Sequence, residues 1–261
     1  MVSFKKKEQM DAGLNKKAGF GENYYRRYDS NLFRKIFGVK PGILKLLREM
    51  ASGGNLLDLG CGIGEFLEAA APHYRVLGLE RSWYAAKEAS KRSGLKGRLA
   101  VGEATGSLPF KPQSLTVVSM MDLVEHLEQP EELIAEAAQL LVPGGILILS
   151  TPNPESLGRF IKKNRWAGSR DTTHINVRPP NFWLETVGKN LKVERVFYDG
   201  LWDSPYILTD GFWERPVVRG MVGLLQSIVI VFPFLLLNRM GWGSPRLLGE
   251  NIWIFARKND Q

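Results

Sequence analysis

Three glycines at alternate positions, Gly60, Gly62 and Gly64, stand between an apolar run, Asn55-Leu-Leu-Asp-Leu59, and a helix-like segment opening at Glu65. No other feature of the sequence restricts the fold as much. Glycine adopts positive φ without strain and lets a ligand approach backbone N–H groups where a Cβ would collide. A strand, a glycine loop and a helix in that order therefore describe the first unit of a nucleotide-binding α/β sheet. By itself the triplet says only that a nucleotide cofactor of some kind is bound.

The rest of the chain extends the pattern. Apolar runs of strand length alternate with helical periodicity, the signature of repeated βαβ units and a parallel sheet. Strands are predicted near 55–59, 75–79, 97–101, 115–120 and 144–150, and helices near 64–71, 83–92 and 131–141. A helix near 180–190, a strand near 192–198 and a last strand near 251–257 complete the series, and the periodic segment Leu32 to Met50 predicts one or two helices beside the first strand. Two stretches interrupt it: 151–179, rich in Pro, Asn, Arg and Gly, and 200–249, which is unusually apolar. A length of 261 residues suits one domain with elaborations, and 44% hydrophobic with 24% charged residues excludes a mainly disordered or fibrous chain. The expected division is a basic N-terminal segment with helices covering the cofactor site (1–50), a cofactor-binding core (51–199), an apolar lid or membrane-interface insertion (200–249), and a final strand and tail (250–261).

Acidic residues narrow the cofactor. Glu80 ends the second strand, Val76-Leu-Gly-Leu-Glu80, where a carboxylate can accept both ribose hydroxyl hydrogen bonds. Gly102-Glu-Ala104 follows the third strand, leads to Leu108-Pro-Phe110, and brings a second acid towards an adenine amino group. Together with Asp58-Leu-Gly-Cys-Gly-Ile-Gly64 and Leu141-Val-Pro-Gly-Gly145, these segments resemble the class I S-adenosylmethionine-dependent methyltransferase superfamily, most closely over residues 52–152. The resemblance implies a Rossmann-like α/β fold: a seven-stranded, mostly parallel sheet whose last strand is antiparallel and inserted beside the sixth, with the apolar insertion between them. It implies S-adenosylmethionine as cofactor, with Gly60 and Gly62 against its methionine portion, Glu80 on ribose and Glu103 with Ala104 by adenine. The cofactor-binding set expected is Asp58, Gly60, Cys61, Gly62, Gly64, Glu80, Arg81, Glu103, Ala104 and Met121. A nicotinamide enzyme is the rival, but the loop lacks Gly-x-Gly-x-x-Gly spacing and the Pro-Gly-Gly turn resembles methyltransferases far more.

Methyl transfer from a sulfonium needs alignment and a water-poor pocket more than a catalytic triad, though an oxygen or nitrogen acceptor can need a general base. His126 and Glu125, in Met121-Asp-Leu-Val-Glu-His-Leu127, directly follow the fourth strand. This stretch resembles ubiquinone-biosynthesis O-methyltransferases, a resemblance that implies divalent-metal ligation at Asp122, Glu125 and His126. Such a pair can equally serve to hydrogen-bond its loop, and no metal site is assigned. His174, in Arg170-Asp-Thr-Thr-His-Ile-Asn176, resembles a Thr-His-Ile segment of methyltransferase-like proteins and is the preferred active-site histidine; a loop histidine bonded to Asp171 or backbone is the plain alternative. His73 has no functional case.

Charge and hydropathy bear on partners. Residues 1–50 hold twelve Lys/Arg against five Asp/Glu, most of the chain's net +8, a surface suited to anionic lipid or nucleic acid or simply a solvated tail. Nothing like an Asn-Pro-Pro-Tyr base pocket follows strand four, which argues against nucleic acid as substrate. A single cysteine, Cys61, forbids an intramolecular disulfide, and the N-terminus lacks the apolar run of a signal peptide, so a cytoplasmic location is expected. Residues 220–238 carry no formal charge, close to the length of a membrane span. A single crossing would strand the last β-strand across the bilayer. A re-entrant or amphipathic lid with peripheral membrane contact is therefore the expectation, together with a small or lipid-linked methyl acceptor. A lid buried within a soluble protein and a non-catalytic cofactor-binding or membrane-adaptor protein are the competing readings.

Overall fold

The computed structural model describes residues 22, 24, 25, 40–105, 107–199 and 246–259. Helix α1 (Lys40–Met50) leads into β1 (Asn55–Leu59), α2 (Glu65–Ala70), β2 (Arg75–Glu80), α3 (Trp83–Ser90), β3 (Leu99–Val101) and β4 (Leu115–Met121). There follow α4 (Pro130–Leu140), β5 (Leu141–Pro152), two short helices α5 (Leu157–Lys162) and α6 (Ala167–Arg170), α7 (Pro180–Gly188), β6 (Lys192–Asp199) and β7 (Asn251–Arg257). The sheet runs β3-β2-β1-β4-β5-β7-β6, with β7 antiparallel to both neighbours. This is the expected Rossmann-like order, with the last strand inserted beside the sixth.

Side chains alternate across each strand, so apolar runs buried on both faces feed two layers at once. On one face Leu57, Leu59, Val118, Met120, Leu147, Leu149, Ile252 and Ile254 meet Leu133, Ile134 and Ala137 of α4 and Trp183 and Val187 of α7. On the other, Leu56, Val117, Ile146, Ile148 and Phe255 meet Ile43 and Leu47 of α1 and Phe66, Leu67 and Ala70 of α2. Helix starts follow local chemistry: the Ser82 and Ser156 hydroxyls accept from Ala85 N and Arg159 N, and α4 and α7 open on proline, whose missing N–H costs nothing there.

Strand five differs from its expectation of 144–150. It begins at Leu141, and Val142 to Gly145 loop out between the pairs Leu115↔Leu141 and Val117↔Ile146. Gly144, at φ 74, donates to Lys258 O at 3.0 Å, so the Pro-Gly-Gly turn forms a bulge held by the end of the chain rather than the strand's boundary. The stretch 151–179, read as an interruption, contains α5 and α6.

All six parallel strands end at one edge, and there the chain leaves the sheet at Asp199 and returns at Asn251, directly opposite one another. The returning segment is clamped: Asn153 Nδ2 donates to Arg246 O and Gly249 O, both at 2.8 Å, and the buried pair Lys162–Glu250 closes at 2.5 Å. Residues 200–245, including the apolar run 220–238, lie outside the described residues, as does most of the basic N-terminal segment. Among the described residues no helix is long and apolar enough to cross a membrane.

Gly78 on β2 lets the glycine loop pack down onto the sheet. A Cβ there would stand 2.7 Å from Cys61 Sγ, 2.7 Å from Leu67 Cδ1 and 2.6 Å from Leu99 Cδ2. Gly78→Val is expected to lower stability by about 1–3 kcal/mol, read as a shift in urea midpoint, and to weaken S-adenosylhomocysteine binding in calorimetry. An unchanged midpoint would show that α2 and β3 move aside freely.

Candidate active site

The glycine loop is tied to the second strand by its backbone. Gly60 N and Cys61 N both donate to Leu79 O, at 2.8 and 3.3 Å, which turns the loop back over the end of β2. Gly62, at φ 54, then donates its N–H to Glu80 Oε2 at 2.8 Å, while Ser82 N and the Tyr25 hydroxyl donate to Oε1 at 2.7 and 3.1 Å. Glu80 is only 4% exposed; burial pushes its carboxyl up, and these donors pull it back towards the ionised form. Gly64, at φ 77, lies against Ala89 and Leu95 so closely that a Cβ would sit 2.8 Å from the Ala89 Cβ. Burial, with Asp58 and Glu80 adding to it, holds the Cys61 thiol well above its ordinary pKa, so it behaves as a packing residue and not as a nucleophile. Asp58 is buried and accepts the Ser119 hydroxyl at 2.7 Å, bracing β1 against β4.

The remaining cofactor candidates lie at neighbouring strand ends. Ala104 is buried, Met121 closes β4 half-buried, and Arg81 pairs with Glu103 at 3.4 Å on the surface, where both side chains are well solvated. Such an exposed pair contributes little to stability.

Along the same sheet edge the structure brings the adjacent pair Glu125 and His126 together with the sequence-distant His174, each offering a ligand atom within 4.8 Å of the others. Main-chain bonds make the junction, because Ile175 N and Asn176 N both donate to Glu125 O at 2.9 Å and the Asn176 amide donates to Leu127 O. The two imidazoles meet edge to face with centroids 4.6 Å apart. His174 Nδ1 faces Gly168 O at 3.1 Å, and His126 Nδ1 faces Thr173 O at 3.2 Å and Thr173 Oγ1 at 2.9 Å. A carbonyl can only accept, so both rings carry hydrogen on Nδ1. The Thr173 hydroxyl passes its own hydrogen to Asp171 Oδ1 at 2.5 Å, and Asp171 Oδ2 lies 3.8 Å from His174 Nε2. Burial first, then the neighbouring His174, lowers His126 to about 4. Glu125 is fully buried; burial, then Asp122, raises it far above the carboxylate range.

A methyltransferase-domain model matches residues 28–187. The chain belongs to this methyltransferase family. S-adenosylmethionine is its methyl donor. Among sequence relatives, the ubiquinone biosynthesis O-methyltransferase of Leptothrix cholodnii is 29% identical over 217 residues, 75% of this chain and 88% of that protein. An S-adenosylmethionine-dependent methyltransferase from Archaeoglobus fulgidus shares the fold at 21% identity with a TM-score of 0.56, covering 87% of this chain and 98% of that one. The geranyl diphosphate C-methyltransferase of Streptomyces coelicolor, solved with Mg2+, geranyl diphosphate and S-adenosylhomocysteine, aligns at 17% identity and TM-score 0.56 over 92% of this chain and 84% of that one. At these identities the two structures speak for the fold alone.

The methyltransferase does not assemble the ligand set Asp122, Glu125 and His126 that its likeness to ubiquinone enzymes implied. Asp122, at φ 52, accepts the Ser150 hydroxyl at 3.0 Å and is not among the converging groups, whereas His174 is. Any ion here would be held by Glu125, His126 and His174. Three contributors escaped the sequence reading: Thr151, whose hydroxyl donates to Glu125 Oε2 at 3.0 Å, Thr173, and Tyr25. Only Asp171-Thr-Thr173, a turn-forming cluster ahead of His174, carried a local signal.

Histidine-labelled protein should show the His126 ring titrating at about 4 in 15N NMR, against about 6.5 for an unperturbed ring. The unfolded ring takes its proton near 6.5 and the native ring only near 4. Its contribution to stability is therefore full above about pH 6.5 and is lost as pH falls towards about 4. A midpoint near 6.5 would mean a solvated ring and a looser site.

Proposed function

We propose that this methyltransferase carries out in-line methyl transfer from S-adenosylmethionine to an oxygen or carbon of a small-molecule or lipid-linked acceptor, with His174 as general base and His126 and Glu125 framing the acceptor's seat. One observation carries the reading: two imidazoles with their Nδ1–H groups fixed on backbone carbonyls stand at the carboxyl ends of the strands, where ligands of open α/β sheets bind. With Nδ1–H held by Gly168 O, the neutral His174 ring presents Nε2 as its acceptor. As the acceptor attacks the methyl carbon, its proton passes to Nε2, and the S–CH3 bond breaks with its electron pair going to sulfur. Asp171, 3.8 Å from Nε2, meets the imidazolium that forms. Burial pushes the Asp171 carboxyl up, but the Thr173 hydroxyl and N–H outweigh it and hold Asp171 below its ordinary pKa, so its charge is available.

On the donor side the proposed contacts are Gly60, Gly62 and Gly64, with Cys61, around the methionine portion, Glu80 on ribose, and Glu103 with Ala104, flanked by Arg81 and Met121, at adenine. Support comes from Glu80, whose buried carboxylate lies within hydrogen-bond reach of the loop backbone. On the acceptor side, a sequence relative named for ubiquinone biosynthesis points to a quinone-like acceptor. The uncharged run 220–238 agrees with an apolar substrate and with peripheral membrane contact by a cytoplasmic protein through 200–249.

Labelled methyl from S-adenosylmethionine is expected to enter the organic phase of fractionated cell extract. His174→Ala should slow that transfer by roughly 10²–10⁴ while S-adenosylhomocysteine affinity stays within about twofold, and a chelator should leave the rate intact. Transfer confined to nucleic acid, or an unimpaired His174→Ala, sinks the reading. The full chain should also sediment with anionic liposomes and a variant lacking 220–238 should not; equal sedimentation removes the membrane contact.

A further inference from the structure

Trp166 is 1% exposed in the polar stretch 151–179, yet it belongs to neither apolar layer of the sheet. It starts α6, its carbonyl accepting from Ser169 N and Arg170 N at 3.0 and 2.8 Å, and Arg159 lies over its indole, 6.0 Å from the centroid. The six-membered ring fills the space beside Gly168, where a Cβ would stand 2.3 Å from both Cη2 and Cζ3. Gly168 has no positive φ, so glycine serves here for room alone. Its carbonyl accepts the His174 Nδ1–H at 3.1 Å. The other end of the same imidazole faces Asp171, whose Oδ2 lies 3.8 Å from Nε2. Asp171 belongs to the same turn: its N–H donates to Ala167 O at 3.3 Å, and its Oδ1 accepts the Thr173 N–H at 2.9 Å and the Thr173 hydroxyl at 2.5 Å.

We propose that Trp166 and Gly168 are positioning residues that fix the tautomer of His174: the indole sets where the Gly168 carbonyl stands, and that carbonyl holds the ring's hydrogen on Nδ1. The inference rests on the reading of His174 as general base. A neutral imidazole carries one hydrogen, and the nitrogen that meets the better-placed acceptor keeps it. Two acceptors contend for it here. Asp171, being charged, is the stronger and would draw the hydrogen to Nε2. Its oxygen lies outside hydrogen-bond range at 3.8 Å, whereas Gly168 O is within range at 3.1 Å, so the weaker acceptor prevails by position. With hydrogen on Nε2 instead, the atom beside Asp171 would be a donor and could take no proton from a methyl acceptor. The outcome therefore turns on where one backbone carbonyl stands. The atoms that a Cβ on Gly168 would meet are ring carbons of a side chain buried to 1%, not the free end of a flexible chain. A methyl there moves the backbone of α6 rather than the ring, and the carbonyl moves with it. Neither residue touches a reacting atom in this scheme.

The test reads the ring directly, by 15N NMR of the histidine-labelled full chain at about pH 8, where imidazoles are neutral and protonated and bare nitrogens resonate far apart. His174→Ala identifies the signals. Wild type should show the His174 hydrogen on Nδ1, and in Gly168→Ala it should move to Nε2 in the larger share of molecules. The double variant Trp166→Phe with Gly168→Ala should return it to Nδ1, because the shorter ring leaves room for the methyl. Turnover should follow the tautomer: kcat of Gly168→Ala falls by roughly 10–10², part of what a general base contributes, while S-adenosylhomocysteine affinity stays within about twofold. A wild-type His174 with hydrogen on Nε2, or a Gly168→Ala that keeps it on Nδ1, overturns the proposal, and a double variant that stays on Nε2 overturns the part given to the indole. If Gly168→Ala does not fold, Trp166→Phe alone should mix the two tautomers, and hydrogen wholly on Nδ1 there overturns the proposal equally. The two readings separate cleanly. A changed tautomer with intact turnover refutes His174 as base and leaves its tautomer under Gly168, whereas an impaired His174→Ala beside an unchanged tautomer in Gly168→Ala removes this inference alone.

Discussion

The buried carboxylate of Glu80 is the constraint on which the donor half of the molecule depends. A carboxylate 4% exposed is tolerable only when donors surround it, and the nearest donors are backbone N–H groups of Gly62 and Ser82. Gly62 reaches it because Gly60 N and Cys61 N first fold the loop back onto Leu79 O. One electrostatic requirement therefore fixes the loop, the end of β2 and the cap of α3 relative to one another. Packing acts in the same direction, since Gly78 leaves just the space that Cys61 and Leu67 fill.

The acceptor half depends on a different junction. Ile175 N and Asn176 N close on Glu125 O, which brings the loop after α6 against the turn after β4 and sets His174 beside His126. The two clusters rest on different strands, β2 for the glycine loop and β4 with β5 for the histidines. Rigid contact through the sheet holds both sites in place without informing either of the other's occupancy.

The donor half was legible in the sequence because its parts are local. Glycines 60, 62 and 64 and the acid at 80 acquire their meaning from order along one βαβ unit, and strand positions followed from apolar runs that the two-sided core requires. The start of β5 was not legible: Pro143-Gly-Gly145 signals a turn, and pairing that resumes before the turn leaves no trace in local pattern. The acceptor half was legible only residue by residue. His126 and His174 each stood out, but their meeting depends on main-chain bonds between residues about fifty positions apart, which no periodicity encodes. Asp122 misled for the same reason, since its side chain is claimed by Ser150 from the neighbouring strand.

Protonation decides what the histidine site can be. Burial and the adjacent Asp122 push the Glu125 carboxyl well above its usual range and so favour its neutral form, and burial, then His174, lowers the His126 ring towards its neutral form. The Thr151 hydroxyl donates to Oε2, so the carboxyl hydrogen belongs on Oε1, the oxygen that has no hydrogen-bond partner of its own. Oε1 is then a buried donor with no hydrogen-bond partner among the described residues, while the His174 ring, its hydrogen held on Nδ1, offers Nε2 as an acceptor. A hard divalent ion would need Glu125 ionised, against the desolvation that opposes it.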